Sequence, residues 1–350
     1  MSRRGIRDYD ESDVRVRPGK GSRPRSKDRP DHRDAEFGMV VSKDRGRWGV
    51  MLDRGTSVTC MRARELQRVS IEVGDRVGIV GDTSGAEGSL ARIVKREPRT
   101  SVLRRTADDT DPYERIIVAN AELMLIVVAA ADPPPRTGFV ERALIAAFDG
   151  GVTPIVCMTK SDLANPAEFE REIQDLDVAL FEVGVEEDIE DLVGTITGHV
   201  SVLIGHSGVG KSTLVNRIVP DAGRETGTVS GVGKGRHTST QSVALPVAST
   251  GWIIDTPGIR SFGLAHVSPT KIVEAFPELA AAAQRCPRGC THLGPPADPE
   301  CAWDEFLEAS ATGADPAPTP LGRRVQAVRR LLTTLFSNNE WDLKQLDEER

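Results

Sequence analysis

The chain has 350 residues, enough for two or three domains with their own cores. No apolar run reaches the ~18–20 residues that span a bilayer, and the charged N-terminus contains no apolar signal segment. The five cysteines, three of them clustered late, do not form a secreted disulfide framework, so the expectation is a cytoplasmic protein without a membrane partner.

The net charge of −7 conceals an asymmetry. Residues 1–105 carry 25 Lys/Arg against 16 Asp/Glu, whereas residues 106–350 carry 20 against 36. A basic front end on an acidic body points to a nucleic-acid contact through the front end; the competing reading is a solvated basic tail without a partner. Residues 1–35 are rich in Arg, Asp, Pro and Gly with almost nothing to bury, and read as a disordered basic tail. From Phe37 to Glu97, five short alternating runs separated by turn residues predict a small β-barrel, with the OB-fold as the natural candidate. Together with a basic connector, Pro98–Arg105, this makes a unit of residues 36–105.

From Ile116 the pattern changes to strand–helix alternation, which predicts an α/β domain with a largely parallel sheet over residues 106–276. Three strings each follow a short apolar run, where a doubly wound sheet binds its ligand. After Thr153–Met158 comes Thr159-Lys160-Ser161-Asp162, which resembles the guanine-reading [NT]KxD of GTPases, whose aspartate accepts hydrogen bonds from guanine N1 and N2. After His199–Ile204 comes Gly205-His206-Ser207-Gly208-Val209-Gly210-Lys211-Ser212, a GxxxxGK[ST] phosphate loop. Its backbone N–H groups suit phosphate, Lys211 suits the β- and γ-oxygens, and Ser212 suits Mg²⁺. After Gly251–Ile254 comes Asp255-Thr256-Pro257-Gly258. The guanine string precedes the phosphate loop, the reverse of the ordinary order, which marks a circularly permuted GTPase.

Between the loop and Asp255 lies a glycine-rich stretch, 223–240, that ends in Arg236-His237-Thr238-Ser239-Thr240. A GTPase needs a threonine here to touch Mg²⁺ and sense the γ-phosphate, and Thr238 and Thr240 both qualify. Position 259 is isoleucine, which cannot orient water as a glutamine would. His237 is the nearest candidate for that task, against the reading of an RNA-facing or structural histidine.

Downstream, Cys286, Cys290, His292 and Cys301 supply three thiolates and an imidazole, a closed structural zinc set; the alternative is three buried free cysteines. The loop has few large apolar residues, which makes metal binding part of its folding free energy. Cys60 and Cys157 lie in apolar runs and read as core. A basic amphipathic helix over Arg323–Phe336 either binds RNA or packs on the zinc module, within a C-terminal unit of residues 277–350.

In this order of parts the chain resembles the RsgA (YjeQ) family of small-subunit-dependent GTPases over nearly its whole length. The resemblance implies an OB-fold, a permuted GTPase domain and a Cys₃His zinc domain. It places the guanine motif on Thr159, Lys160 and Asp162, the phosphate loop on Gly205–Thr213, the switch on Gly235–Thr240, the DxPG motif on Asp255–Gly258, and the hydrophobic replacement for glutamine on Ile259. It further implies one zinc per chain, Mg²⁺ with GTP, and a monomer that docks on 16S rRNA of the 30S subunit, hydrolyses GTP to GDP and phosphate, and leaves. Three positions depart from the family pattern. The zinc spacing is C-x₃-C-x-H-x₈-C rather than C-x₄-C-x-H-x₅-C, the switch reads His-Thr-Ser-Thr, and Val183-Gly184-Val185 replaces the Ser-Ala of the second guanine loop. A different class fits the same residues, a nucleotide-dependent RNA-binding switch with incidental hydrolysis. An ATP-using phosphoryl-transfer enzyme conflicts with Asp162 and lacks an acceptor site.

Overall fold

The computed structural model describes residues 32–66, 69–106, 114–220, 242–248, 250–256, 262, 264, 267–311 and 319–348. Residues 1–31 of the expected tail, residues 223–240 with His237, Thr238 and Thr240, and the positions Gly258 and Ile259 lie outside the described residues.

Five strands build the front of the chain: β1 (Glu36–Asp44), β2 (Arg47–Leu52), β3 (Ser57–Arg62), β4 (Arg76–Gly81) and β5 (Ala91–Arg96). They run in the order β1-β2-β3-β5-β4, and β4 returns to pair with β1, closing the OB-type barrel that the alternating runs predicted. A bulge between Val40 and Ser42 lets β1 bend enough to serve both neighbours. Val40, Val50, Val58, Cys60, Val77, Ile79 and Ile93 fill the interior, and Trp48 joins them with its indole N–H donated to the Ile71 carbonyl at 3.1 Å.

The expected connector is more ordered than its composition suggests. Within it, β6 (Val102–Thr106) pairs antiparallel with β7 (Glu114–Ala119) as a hairpin. Leu103 is buried, so the basic residues around it occupy a strand rather than a linker. Ahead of the hairpin, Arg99 donates to both oxygens of Asp75 at 2.7 Å, and Asp75 is fully buried. Asp75 also accepts from the Glu72 N–H at 2.7 Å, so its charge is matched on two sides.

The α/β part is a doubly wound sheet. Its strands are β8 (Leu123–Ala129), β9 (Thr153–Thr159), β10 (Ala179–Glu182), β11 (Val200–Ile204), β12 (Val243–Val247) and β13 (Gly251–Asp255), arranged β10-β9-β8-β11-β13-β12. All neighbours are parallel except β12, which is antiparallel to β13. On β8, Met124, Ile126 and Val128 face one layer while Leu125, Val127 and Ala129 face the other, so the strand reads as continuously apolar. The first layer holds α1 (Thr137–Gly150) and α2 (Ala167–Gln174); the second holds α3 (Glu190–Ile196) and α4 (Lys211–Ile218).

The barrel joins this sheet through β1, which pairs with β12 at Ser42 and Val243, so the two sets of strands run as one sheet of eleven. A second seam lies at Gly74, where a Cβ would fall 1.9 Å from the Ala119 carbonyl oxygen, and where φ is +90°. No other residue permits that approach.

Among the described residues, four further helices follow: α5 (Pro269–Glu274), α6 (Pro277–Ala283), α7 (Asp304–Ala311) and α8 (Pro320–Glu348). The basic C-terminal helix packs by its apolar face. On α8, Val325, Val328, Leu331, Leu332 and Leu335 are buried in the same core as α1, α5 and α6, so the helix rests on the GTPase part as well as beside the cysteine loop.

The buried Asp75–Arg99 pair yields a test. Removing the guanidinium strands a buried carboxylate, so Arg99→Ala should cost about 3–5 kcal/mol in urea unfolding. A change below about 1 kcal/mol would show that the pair is not sealed from water.

Candidate functional site

The strand order reverses direction between β8 and β11, and doubly wound sheets bind ligands at such a crevice. Gly205 leaves β11 with φ +151°, and a Cβ there would sit 2.6 Å from the Val127 carbonyl oxygen of β8. Gly208 and Gly210 also hold positive φ, which turns the chain so that α4 starts at Lys211 with its N-terminus at the loop. Ser212 and Thr213 are exposed on the first turn. The Lys211 ammonium curls back onto the carbonyls of Gly205 and His206, the latter at 2.7 Å. Burial lowers its pKa from the usual lysine value, and the Asp255 carboxylate opposes that shift.

Thr159 and Lys160, which β9 brings up beside β8, reach toward this loop. The Thr159 hydroxyl donates to the Val209 carbonyl at 2.7 Å and lies 3.3 Å from the Val128 carbonyl. Lys160, at φ +57°, donates to the Asp132 carbonyl, leaving its stem along the turn. Asp162 is exposed at the rim. From the other side β13 delivers Asp255, and the buried Thr256 donates its hydroxyl to the Leu203 carbonyl at 2.7 Å. The strings on either side of the permutation therefore converge on one crevice.

Several groups here were not legible in the motifs. The His206 ring packs on Phe139 of α1 with centroids 4.3 Å apart, so the loop's second residue has an aromatic neighbour. Arg217 of α4 donates to the carbonyls of Val183, Gly184 and Glu187, tying the loop after β10 to the helix that follows the phosphate loop. Both contacts join residues distant in sequence.

A second centre lies between α6 and α7. One ligand atom each from Cys286, Cys290, His292 and Cys301 falls within 4.8 Å of the others. The His292 Nδ1 lies 3.5 Å from the Cys286 and Cys290 sulfurs and 3.9 Å from that of Cys301. Ligands about 2.3 Å from a tetrahedral zinc are separated by about 3.8 Å, so the set fits that ion. Without metal, burial first and then the neighbouring sulfurs push the Cys290 thiol up to about 12. A zinc ion held by these four residues would displace the thiol protons. The Ala302 N–H points at the Cys286 sulfur at 3.3 Å, and Arg329 of α8 donates to the His292 carbonyl at 3.0 Å. A large apolar side chain also backs the loop. The fully buried Trp303 stacks on His292 at 4.6 Å and donates to the Leu279 carbonyl at 2.9 Å.

Comparisons with known proteins agree with this geometry. The sequence profile of the RsgA GTPase family matches residues 96–265. A protein of Gemmatimonas aurantiaca named small ribosomal subunit biogenesis GTPase RsgA is 33% identical over 284 residues, covering 78% of this chain and 91% of its own. The chain belongs to the RsgA GTPase family. The protein of the same name from Nitrosospira multiformis is 32% identical over 271 residues, covering 76% of this chain and 80% of its own. Among solved structures, YjeQ from Thermotoga maritima superposes with a TM-score of 0.61 at 23% identity, covering 86% of this chain and 98% of its own. YloQ, described as a circularly permuted GTPase, gives 0.61 at 20% identity over 89% and 98%. The permuted α/β fold read from motif order is thus that of the family.

The cysteine centre is testable directly. Elemental analysis should find one zinc per chain, and Cys290→Ser should lose it and lower the unfolding midpoint. Because each thiol must shed a proton, zinc affinity should fall as pH falls. An unchanged midpoint on chelation would remove the structural role.

Proposed function

We propose that this GTP hydrolase acts in late maturation of the small ribosomal subunit, a reading supported by relatives named small ribosomal subunit biogenesis GTPases. In this reading it is a cytoplasmic monomer that requires Mg²⁺ and is stimulated by the 30S subunit. The barrel of residues 36–105 carries the 16S rRNA contact, residues 106–276 carry the nucleotide, and residues 277–350 carry a structural zinc. The observation that supports the nucleotide reading most strongly is the Thr159–Val209 hydrogen bond, which locks the guanine string to the phosphate loop.

The division of labour follows from chemistry. The backbone N–H groups of Gly205–Thr213 and the α4 N-terminus bind the phosphates. Lys211 releases its carbonyl partners and meets the β- and γ-oxygens, where it stabilises charge that develops as the bond to the γ-phosphorus breaks. Asp162 accepts from guanine N1 and N2, with the Lys160 stem along the base. Ser212, with Thr238 or Thr240, would hold Mg²⁺, which neutralises charge on the β- and γ-oxygens. Asp255 and Gly258 bound the γ-phosphate side. The Ile259 side chain offers no polar atom, so His237 positions the attacking water.

Base choice is checked by exchange. Asp162→Asn should weaken GTP binding by about 1–3 kcal/mol and favour XTP, whose 2-oxo group accepts from an amide. An unchanged preference refutes the assignment.

Turnover with and without purified small subunits tests the rest. Lys211→Ala should abolish hydrolysis, and His237→Ala should lower kcat about 100-fold or more with GTP affinity nearly intact. Stimulation should depend on residues 36–105 and fall steeply with salt through counterion release. Equal stimulation by any structured RNA would favour the RNA-binding switch instead.

A further inference from the structure

The loop after β10 carries a side chain that no motif assigns. Gly184 is the middle residue of the Val183-Gly184-Val185 string that replaces the family's Ser-Ala, and a Cβ there would lie 2.0 Å from Glu187 Oε2. The Glu187 carboxylate therefore fills the space that a side chain at 184 would take. Its Oε1 accepts from the Ser161 hydroxyl at 2.9 Å, and Ser161 is the third residue of the guanine string. Its Oε2 is shielded from solvent and has no hydrogen-bond partner among the described residues. Keeping a carboxylate oxygen in that state is unfavourable, which argues that something other than stability retains it. The main chain of the same loop is pinned by Arg217 of α4. Among the described residues, the exposed large apolar side chains are Leu163 and Val185, at 58% and 72% exposure. One follows Asp162 and the other follows Gly184, so an apolar face flanks each of the two loops.

We propose that Glu187 is a positioning residue for purine recognition. Its carboxylate clamps the Thr159–Asp162 turn, through Ser161, to the Val183–Ile189 loop and so sets the slot that takes the base. The inference rests on the guanine-site reading above. A carboxylate acceptor makes this link charge-assisted, which suits a strut between two turns better than a neutral pair.

The test measures binding of GTP, ATP, XTP and tripolyphosphate to the full chain. Glu187→Ala and Ser161→Ala should each weaken GTP about tenfold and reduce its preference over ATP. Tripolyphosphate affinity should stay within about twofold, and the double variant should be no weaker than either single one. Glu187→Gln keeps an acceptor for Ser161 and should stay within about threefold of wild type. Losses that add in the double variant, or that fall equally on tripolyphosphate, overturn the clamp. Asp162→Asn separates the two ideas. If it shifts preference to XTP while Glu187→Ala leaves GTP unchanged, the base site stands and the clamp falls. If it shifts nothing, the base-site reading fails and the clamp fails with it.

Discussion

The hydroxyl of Thr159 donating to the Val209 carbonyl is the contact around which the α/β part is arranged. It spans strings separated in sequence and requires β9, β8 and β11 to lie side by side in parallel register. That register is fixed by burial on both faces. A one-residue slip of β8 would exchange Met124, Ile126 and Val128 with Leu125, Val127 and Ala129, each set shaped to a different helix layer. Given the register, the turns at the strand ends have nowhere else to go. Gly205 must pass close to Val127, and only glycine does so without displacing backbone. The permutation leaves this logic intact, because strand adjacency rather than chain order sets which turns meet.

The same sheet carries the front barrel. Pairing of Ser42 with Val243 attaches β1 to β12, and β12 is antiparallel to β13, the strand that presents Asp255. The second seam at Gly74 is reinforced by Asn120, which donates to the Gly74 carbonyl at 2.9 Å and accepts from the Thr100 N–H at 2.9 Å. A backbone seam on one side and a side-chain amide on the other restrict both translation and rotation of the barrel on its neighbour. Residues 34–350 accordingly form one compact unit.

Much of this was legible in the chain because the informative residues are local. Glycines at fixed spacing, a lysine–serine pair and apolar runs before each turn carry their meaning within ten residues. The cysteine set is local in the same way. The hairpin was hidden because its inward Leu103 is surrounded by arginines and a threonine, and composition outweighed a single alternation. Helix α8 showed its amphipathic face without naming the surface that receives it, since the helix meets α1 and α5 only in the fold. The Glu187–Ser161 link and the Arg217 contacts are wholly non-local, and the single hint was an absence, the missing Ser-Ala.

The altered cysteine spacing shows how such a departure is absorbed. The eight residues between His292 and Cys301 are shaped by one side chain, Asp298, whose carboxylate accepts from the N–H groups of Thr291 and Leu293 at 3.0 Å and from the Thr291 hydroxyl. Those bonds hold its pKa below the usual aspartate value despite the opposing effect of burial. Gly294 admits the Arg329 guanidinium, which would lie 2.6 Å from a Cβ, and that arginine also binds Asp304 at 2.8 Å. The path into Cys301 is therefore set by protein contacts on both sides. Trp303 then seals the inner wall against Leu279. A longer spacing thus still brings three sulfurs and an imidazole within 4.8 Å of one another, a set that one tetrahedral ion can join.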